Sequence, residues 1–319
     1  MKFLFLMNPL DQVVIIKDTS FIFMLGAHKR GHDVYYLPLD GITKVNGKLK
    51  FAVQKVTPQQ VEGSPFIVED ALTLEESDVD AVFIRTDPPF DADYLMKTWL
   101  LDSVKDRIFL INDPNGVRTV NEKVWATQFV DLIPPTCVTR SKKEYLSFLD
   151  EYEHIVGKPT DGFGGQGVFQ IKKGDPNTNV IFETLTDNGA RDVILQKYIP
   201  EAADGDKRII LLNGELIGAV LRLHGGDDPR NNFFSGGKPV KTEVTDREHE
   251  IIATLKPELQ KLGLYFVGID VMGDYLVEVN VTSPTCVQEI NRLENVQLED
   301  EVISFVEKQV ELLKTGNKI

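Results

Sequence analysis

The sequence predicts a two-part α/β protein: an N-terminal open α/β sheet domain over residues 1–122, then a domain of antiparallel sheets and helices over residues 123–319. Three observations predict it. Short apolar runs alternate with a helical pattern through the first third. Beyond that point, turn dipeptides sit between extended segments. The 319 residues, 42% hydrophobic and 26% charged, make a globular chain able to bury a core without disulfides or structural metals.

Lys2–Met7 is a short apolar strand, and Asp18, Thr19 and Ser20 are N-cap types ahead of the helical spacing Phe21, Met24, Leu25, His28, with Gly31 as its stop. Asp33–Leu37 returns as a strand. Asn46-Gly47 marks a hairpin within Ile42–Val56. Strands at Asp80–Ile84 and Arg107–Ile111 flank a helix over Ala92–Val104. The texture changes after Asn112-Asp113-Pro114. A helix is expected over Asn121–Val130, a break at Pro134-Pro135, a strand at Thr136–Thr139, and a helix from Ser141 with Glu144 completing a capping box. Three hairpins follow: Ile155–Ile171 around a glycine loop, Arg208–Arg222 around Asn213-Gly214, and Tyr265–Val281 around Gly273-Asp274. Helices at about 178–187, 246–262 and 298–314 complete the chain.

With 35 basic and 49 acidic side chains the net charge is −14, which argues against a nucleic-acid surface. No apolar stretch approaches the ~20 residues that cross a bilayer, and the Met1–Met7 run ends at Asn8-Pro9, too short for a signal peptide. A cytoplasmic protein with no membrane partner is expected. Cys137 and Cys286 form no CxxC pair and read as packed thiols. His28, His32, His154, His224 and His249 show no ligand spacing.

The run Asp161–Gly167 contains a literal G-x-G-x-x-G, but an extended pattern, Val168–Ile171, follows it. A dinucleotide fold needs a helix there. A glycine loop between antiparallel strands instead lets backbone N–H groups approach a phosphate, with Lys158 adding charge beside it.

In Gly268–Val281, Asp270, Glu278 and Asn280 interrupt strands otherwise fit for a core. Glu278 and Asn280 share a face about 7 Å apart. A two-residue turn at Gly273-Asp274 would send Asp270 to the opposite face, so a three-residue loop, Met272–Asp274, is expected to pair Asp270 with Leu276 and gather all three. Such hard oxygen donors suit magnesium completed by water and phosphate oxygens.

Lys123, Lys158, the Gly162–Gly167 loop, Gln196–Ile199 and the Asp270/Glu278/Asn280 hairpin occur in the order typical of ATP-grasp ligases. Further blocks, Ile16–Phe21, Arg85–Asp91, Asn121–Lys123, Asp204–Arg208 and Glu278–Thr285, make the chain resemble prokaryotic-type glutathione synthetases over almost its whole length. The resemblance implies that Lys123, Lys158 and Gly162, Gly164, Gly165 and Gly167 hold ATP phosphates. Gln196, Lys197, Tyr198 and Ile199 would present backbone to adenine, with Asp206 near the ribose. Asp270, Glu278 and Asn280 would bind Mg2+, with Mn2+ as an alternative. Arg208 and Arg222 would be catalytic, stabilising the oxyanion. Ser283 and Thr285 would contact the peptide substrate, with Asp18, Ser20 and Arg85 at its far end. It also implies γ-glutamylcysteine, glycine and ATP as substrates, an acyl-phosphate intermediate, and a homo-oligomer, often a tetramer.

Convergence of Arg208 and Arg222 poses a condition. A strict Asn213-Gly214 hairpin puts them on opposite faces, so a bulge is required, with Gly218 as its site. Charge poses another: Lys123, Lys158, Arg85, Arg208 and Arg222 must converge on one cleft if an acidic chain is to bind anions. The glycine-rich stretch Leu223–Gly237 is expected to be a lid shielding the intermediate from water. Three rivals remain: another ATP-grasp carboxylate–amine ligase, a non-catalytic nucleotide sensor, and a nicotinamide oxidoreductase. The paired arginines and the carboxylate hairpin count against the sensor, and the strand after the glycines against the oxidoreductase.

Overall fold

The computed structural model describes residues 1–162, 164–223 and 237–316. The first part holds β1 (Lys2–Met7), α1 (Thr19–Lys29), β2 (Asp33–Leu37), β3 (Ile42–Val45), β4 (Lys48–Pro58), β5 (Phe66–Glu75), β6 (Ala81–Arg85), α2 (Ala92–Asp102), β7 (Phe109–Ile111) and α3 (Pro114–Thr119). Their sheet runs β3-β4-β2-β1-β6-β7, with β5 on β4. β2, β1, β6 and β7 are parallel, and the β3–β5 ribbon is antiparallel. Asp18 caps α1 by accepting the Phe21 N–H, and Gly31, with φ of +84°, follows its last turn.

Next come β8 (Thr136–Thr139), α4 (Lys142–Tyr152), β9 (His154–Pro159), β10 (Phe169–Lys172), α5 (Thr178–Thr186) and β11 (Val193–Lys197). The strands form a four-stranded sheet ordered β10-β9-β11-β8. The last part holds β12 (Asp206–Leu212), β13 (Glu215–Leu223), β14 (Lys238–Val240), α6 (Asp246–Lys261), β15 (Phe266–Met272), β16 (Tyr275–Asn280), α7 (Val287–Glu294) and α8 (Leu298–Thr315), with a five-stranded sheet ordered β14-β13-β12-β15-β16.

The cores do not follow chain order. One joins Leu4, Leu6 and Val82 of the first sheet to Ile209, Ile269 and Leu255 of the last part. A second joins Phe3, Phe5 and Phe23 to Ile210, Val302 and Val306. Among the described residues, only the four-stranded sheet has a core of its own, built on Tyr145, Leu149, Ile155, Ile171, Phe182 and Leu195. The first and last parts are therefore welded by shared apolar burial, while residues 136–197 form a separate small unit.

One expected helix is absent. Over 121–130 the chain makes only a 3-10 turn at Trp125–Gln128. The Asn121 side chain accepts the Lys123 and Val124 N–H groups, and the Glu122 and Leu132 carbonyls accept from Val279 and Leu276 of β16. Carbonyls spent on a sheet edge cannot close helical turns.

Candidate active site

A cavity of about 820 Å³ lies between the four-stranded and five-stranded sheets. From the four-stranded side, β9 supplies Lys158, only 7% exposed. Burial drags its ammonium down from the ordinary lysine range to about 8. The glycine loop follows β9 and leads into β10, antiparallel to it, so the strand-after-glycine reading holds. Gly164, Gly165 and Gly167 take φ of +63°, +75° and +70°, a region costly for residues with a Cβ. β11 ends in Gln196, whose side-chain amide donates to the Thr136 hydroxyl at 3.0 Å, and Lys197 and Tyr198 continue along the wall. Tyr198 stacks on His154 with ring centroids 3.9 Å apart.

The five-stranded side carries the charged groups, and strand pairing explains their placement. Asp206 lies directly opposite Arg222, and Arg208 directly opposite Asp270. Arg222 donates Nε and Nη2 to the two Asp206 oxygens at 2.6 and 2.7 Å. Arg208 grips Asp270 in the same way at 2.5 and 2.9 Å, and Arg222 Nη2 also lies 3.0 Å from Asp270. Burial by itself would raise the Asp270 pKa, yet the two guanidiniums outweigh it and hold the carboxyl well below the usual range. Each bidentate pair uses two of the five N–H donors of its arginine.

Both hairpins reach this arrangement through a bulge. In β12–β13 the register shifts between Ile210 and Leu211, leaving Ile217 unpaired beside Gly218, so Arg208 and Arg222 share a face as required. In β15–β16 the expected three-residue loop is not formed. Met272 pairs with Tyr275 across a two-residue Gly273-Asp274 turn, and Val277 is the extra residue. Asp270 therefore faces Glu278 rather than Leu276, and the three polar groups still gather. Turn length alone cannot decide the face of a strand when one bulge reverses its parity.

Glu278 Oε1 lies 2.6 Å from Lys123 Nζ, which also donates to the Gly162 carbonyl. Asn280 Nδ2 is 3.5 Å from Asp270 Oδ2. Among the described residues no three His, Cys, Asp or Glu side chains converge as a metal cluster. The donor set is two carboxylates and an amide on one rigid hairpin, which fits a hard divalent cation completed by water and phosphate oxygens. Gly268, beside this set, makes room for Pro284 and the Arg208 stem, since a Cβ there would lie 2.9 Å from Pro284 Cβ and 3.1 Å from Arg208 Cδ.

Of the residues expected at the site, Lys123, Lys158, Gly162, Gly164, Gly165, Gln196–Ile199, Asp206, Arg208, Arg222, Asp270, Glu278, Asn280, Ser283 and Thr285 line the cavity. Gly167, Asp18, Ser20 and Arg85 do not. Arg85, 5% exposed, donates Nε to Ser20 Oγ at 3.1 Å and Nη2 to the Pro284 carbonyl at 2.9 Å. Its charge is spent behind the 283–285 segment, so the convergence of cations on the cavity wall is carried by the other four. Asp18 offers its side chain to the α1 amides and its carbonyl to Gln288. Glu122, Asn8 and Thr282 also line the cavity without having been expected there. Glu122 was visible as the neighbour of Lys123, but its partners are about 160 residues away in sequence. The expected lid is outside the description, since residues 224–236 lie outside the described residues. Cys286 is fully buried and Cys137 half-buried.

Two family descriptions cover most of the chain: "Prokaryotic glutathione synthetase, N-terminal domain" over residues 1–118 and "Prokaryotic glutathione synthetase, ATP-grasp domain" over residues 122–295. The chain belongs to the prokaryotic glutathione synthetase family. It is accordingly an ATP-dependent ligase, and its chemistry is that of glutathione formation. A glutathione synthetase from Nostoc sp. is 42% identical over 98% of this chain and 99% of its own length, and that of Escherichia coli K12 is 37% identical over 89% and 90%. Among solved structures, the D-cycloserine synthetase DcsG superposes with a TM-score of 0.65 at 17% identity, covering 98% of this chain and 99% of its own, which shows the fold. The family uses ATP and a divalent metal. No helix among the described residues is long and apolar enough to cross a membrane.

Proposed function

We propose that the chain joins the cysteinyl carboxylate of γ-glutamylcysteine to the amine of glycine, with magnesium as the metal and Mn2+ as the alternative of similar ligand preference. Residues 1–122 are read as the pre-ATP-grasp substrate domain and 123–319 as the ATP-grasp domain. One observation carries the reading: a single cavity faces Lys158 and the glycine loop on one side with Lys123, Arg208, Arg222, Asp270, Glu278 and Asn280 on the other.

A carboxylate does not acylate an amine at neutral pH, so it must first be activated. A carboxylate oxygen of the dipeptide attacks the terminal phosphorus of ATP and ADP leaves. The amine of glycine then attacks the acyl carbon, inorganic phosphate leaves, and the nitrogen loses its proton. Lys123 and Lys158 offset phosphate charge, and the loop glycines bring backbone N–H groups against the phosphates. The Gln196–Ile199 backbone holds adenine, and Asp206 lies toward the ribose. Asp270, Glu278 and Asn280 would hold the cation, which offsets charge on the transferring phosphoryl group when bound. Arg208 and Arg222 stabilise the tetrahedral oxyanion with N–H groups not committed to Asp270 and Asp206. Their buried pairing fixes their orientation before substrate arrives. Ser283 and Thr285 contact the peptide, while Arg85 and Ser20 brace them through Pro284.

Phosphate release from ATP and magnesium across a panel of acceptors tests the proposal. Turnover is expected only with γ-glutamylcysteine and glycine together. Turnover with unrelated amino acids alone would replace it with another ATP-grasp ligation.

A further inference from the structure

β16 is the outer strand of its sheet, and the groups that matter for binding sit at its end: Glu278, Asn280 and the segment through Thr285. An edge strand has amides with no ladder partner, and these are buried, with Val281 fully enclosed and Thr282 6% exposed. The Leu276 N–H goes to the Leu132 carbonyl, and those from Val279 onward end on one residue. The Glu122 carbonyl accepts the Val279 N–H at 2.9 Å, and its Oε1 accepts the Val281 N–H at 2.9 Å, the Thr282 N–H at 3.1 Å and the Thr282 hydroxyl at 2.8 Å. The Val281 carbonyl is held from the other side by Asn112 Nδ2 at 2.8 Å. The residue after Glu122 is Lys123, paired with Glu278.

We propose that Glu122 is a positioning residue for the ligation: it fixes the Asn280–Thr285 segment at a set distance from Lys123. The phosphate-binding lysine, the amide of the metal set and the hydroxyls facing the peptide are then parts of one stitched unit. Removing the carboxylate leaves buried donors unpaired, and the segment relaxes toward water or other acceptors. A shift of about 1 Å in groups that orient a substrate costs on the order of a hundredfold in rate. The proposal rests on reading Asn280, Ser283 and Thr285 as binding groups, so its test includes a measurement that needs no substrate.

Glu122→Ala and Glu122→Gln in the full chain provide that test. Amide exchange in the ligand-free protein is expected to quicken by about tenfold or more over 279–283 in Glu122→Ala, with 209–212 unchanged. Its KM for γ-glutamylcysteine is expected to rise about tenfold, with kcat falling as well. Glu122→Gln keeps one oxygen for the same donors and is expected to stay within about threefold of the parent in exchange and kinetics. Parent-like exchange over 279–283 in Glu122→Ala overturns the proposal. So does a Glu122→Gln variant as impaired as Glu122→Ala with exchange unchanged, which would make the carboxylate a direct substrate contact. Should Glu122→Ala not fold, Thr282→Val removes one donor, and a quickening of about threefold at 281–283 is expected; no change there overturns the proposal equally.

Discussion

The two sheets that face each other across the cavity are built on different terms. The five-stranded sheet shares both large cores with the N-terminal sheet and places buried ion pairs on its cavity face. The four-stranded sheet keeps a small core to itself and offers the cavity one buried lysine and a glycine loop. Groups that must hold a fixed geometry are anchored to most of the molecule. Those proposed to meet the nucleotide sit on a unit with a core of its own.

Substitutions on the two sides should differ accordingly. The largest effect is expected from Asp270→Ala. It strips the shared partner from two buried guanidiniums, at a cost of about 3–5 kcal/mol in urea unfolding, and abolishes turnover. Near-parental stability would show that water or Asp206 takes up the freed arginines. Glu278→Gln is expected to lower kcat/KM by about a thousandfold, while its melting temperature stays within a few degrees of the parent, because among the described residues its one ion pair is with Lys123. Loss of the fold instead would make Glu278 a structural residue.

Leu149→Ala probes the other side. A cavity in the small core should cost about 2–5 kcal/mol, and the faster amide exchange should stay within 136–197. Spread of that exchange into 206–280 would erase the contrast between the units.

The smallest effect concerns pH. Burial lowers Lys158 to about 8, and the phosphates proposed beside it would favour its charged form. Below that pH the lysine is protonated both free and bound, so ATP affinity is flat with respect to this group. Above it, binding must draw in a proton, and affinity should weaken by up to about tenfold per pH unit. Titration calorimetry at pH 9 in buffers of different ionisation enthalpy should register that uptake, and its absence would take Lys158 away from the phosphates.

Local chemistry was legible in the sequence where it is decided locally. The Asp18 cap, the Asn46-Gly47 and Asn213-Gly214 turns and the strand after the glycine loop each follow from a few adjacent residues. The Asn121–Val130 segment misled because the Glu122 carbonyl within it and the Leu132 carbonyl just after it serve β16, a partner no local pattern can announce. Arg85 was illegible for a related reason: the sequence does not show where a buried arginine turns its donors, here toward Ser20 and the Pro284 carbonyl. The shared cores were illegible, since strands from both halves alternate in ways that fit either a private or a common interior.

Ile217 and Val277 are the odd residues of their hairpins: standing outside the ladder, each lets the residues after it pair one place later along the strand. Were either bulge to close with the chain length unchanged, Arg222, or Glu278 and Asn280, would turn away from the cavity, whereas loss of the odd residue would leave Asp206 opposite Arg222 and Asp270 opposite Glu278. These hairpins should therefore tolerate the loss of that one residue better than the gain of another. Among descendants of this sequence, one-residue insertions ought to collect in the outer loops and be purged from the stretches 215–222 and 275–280, where spacing itself is under selection.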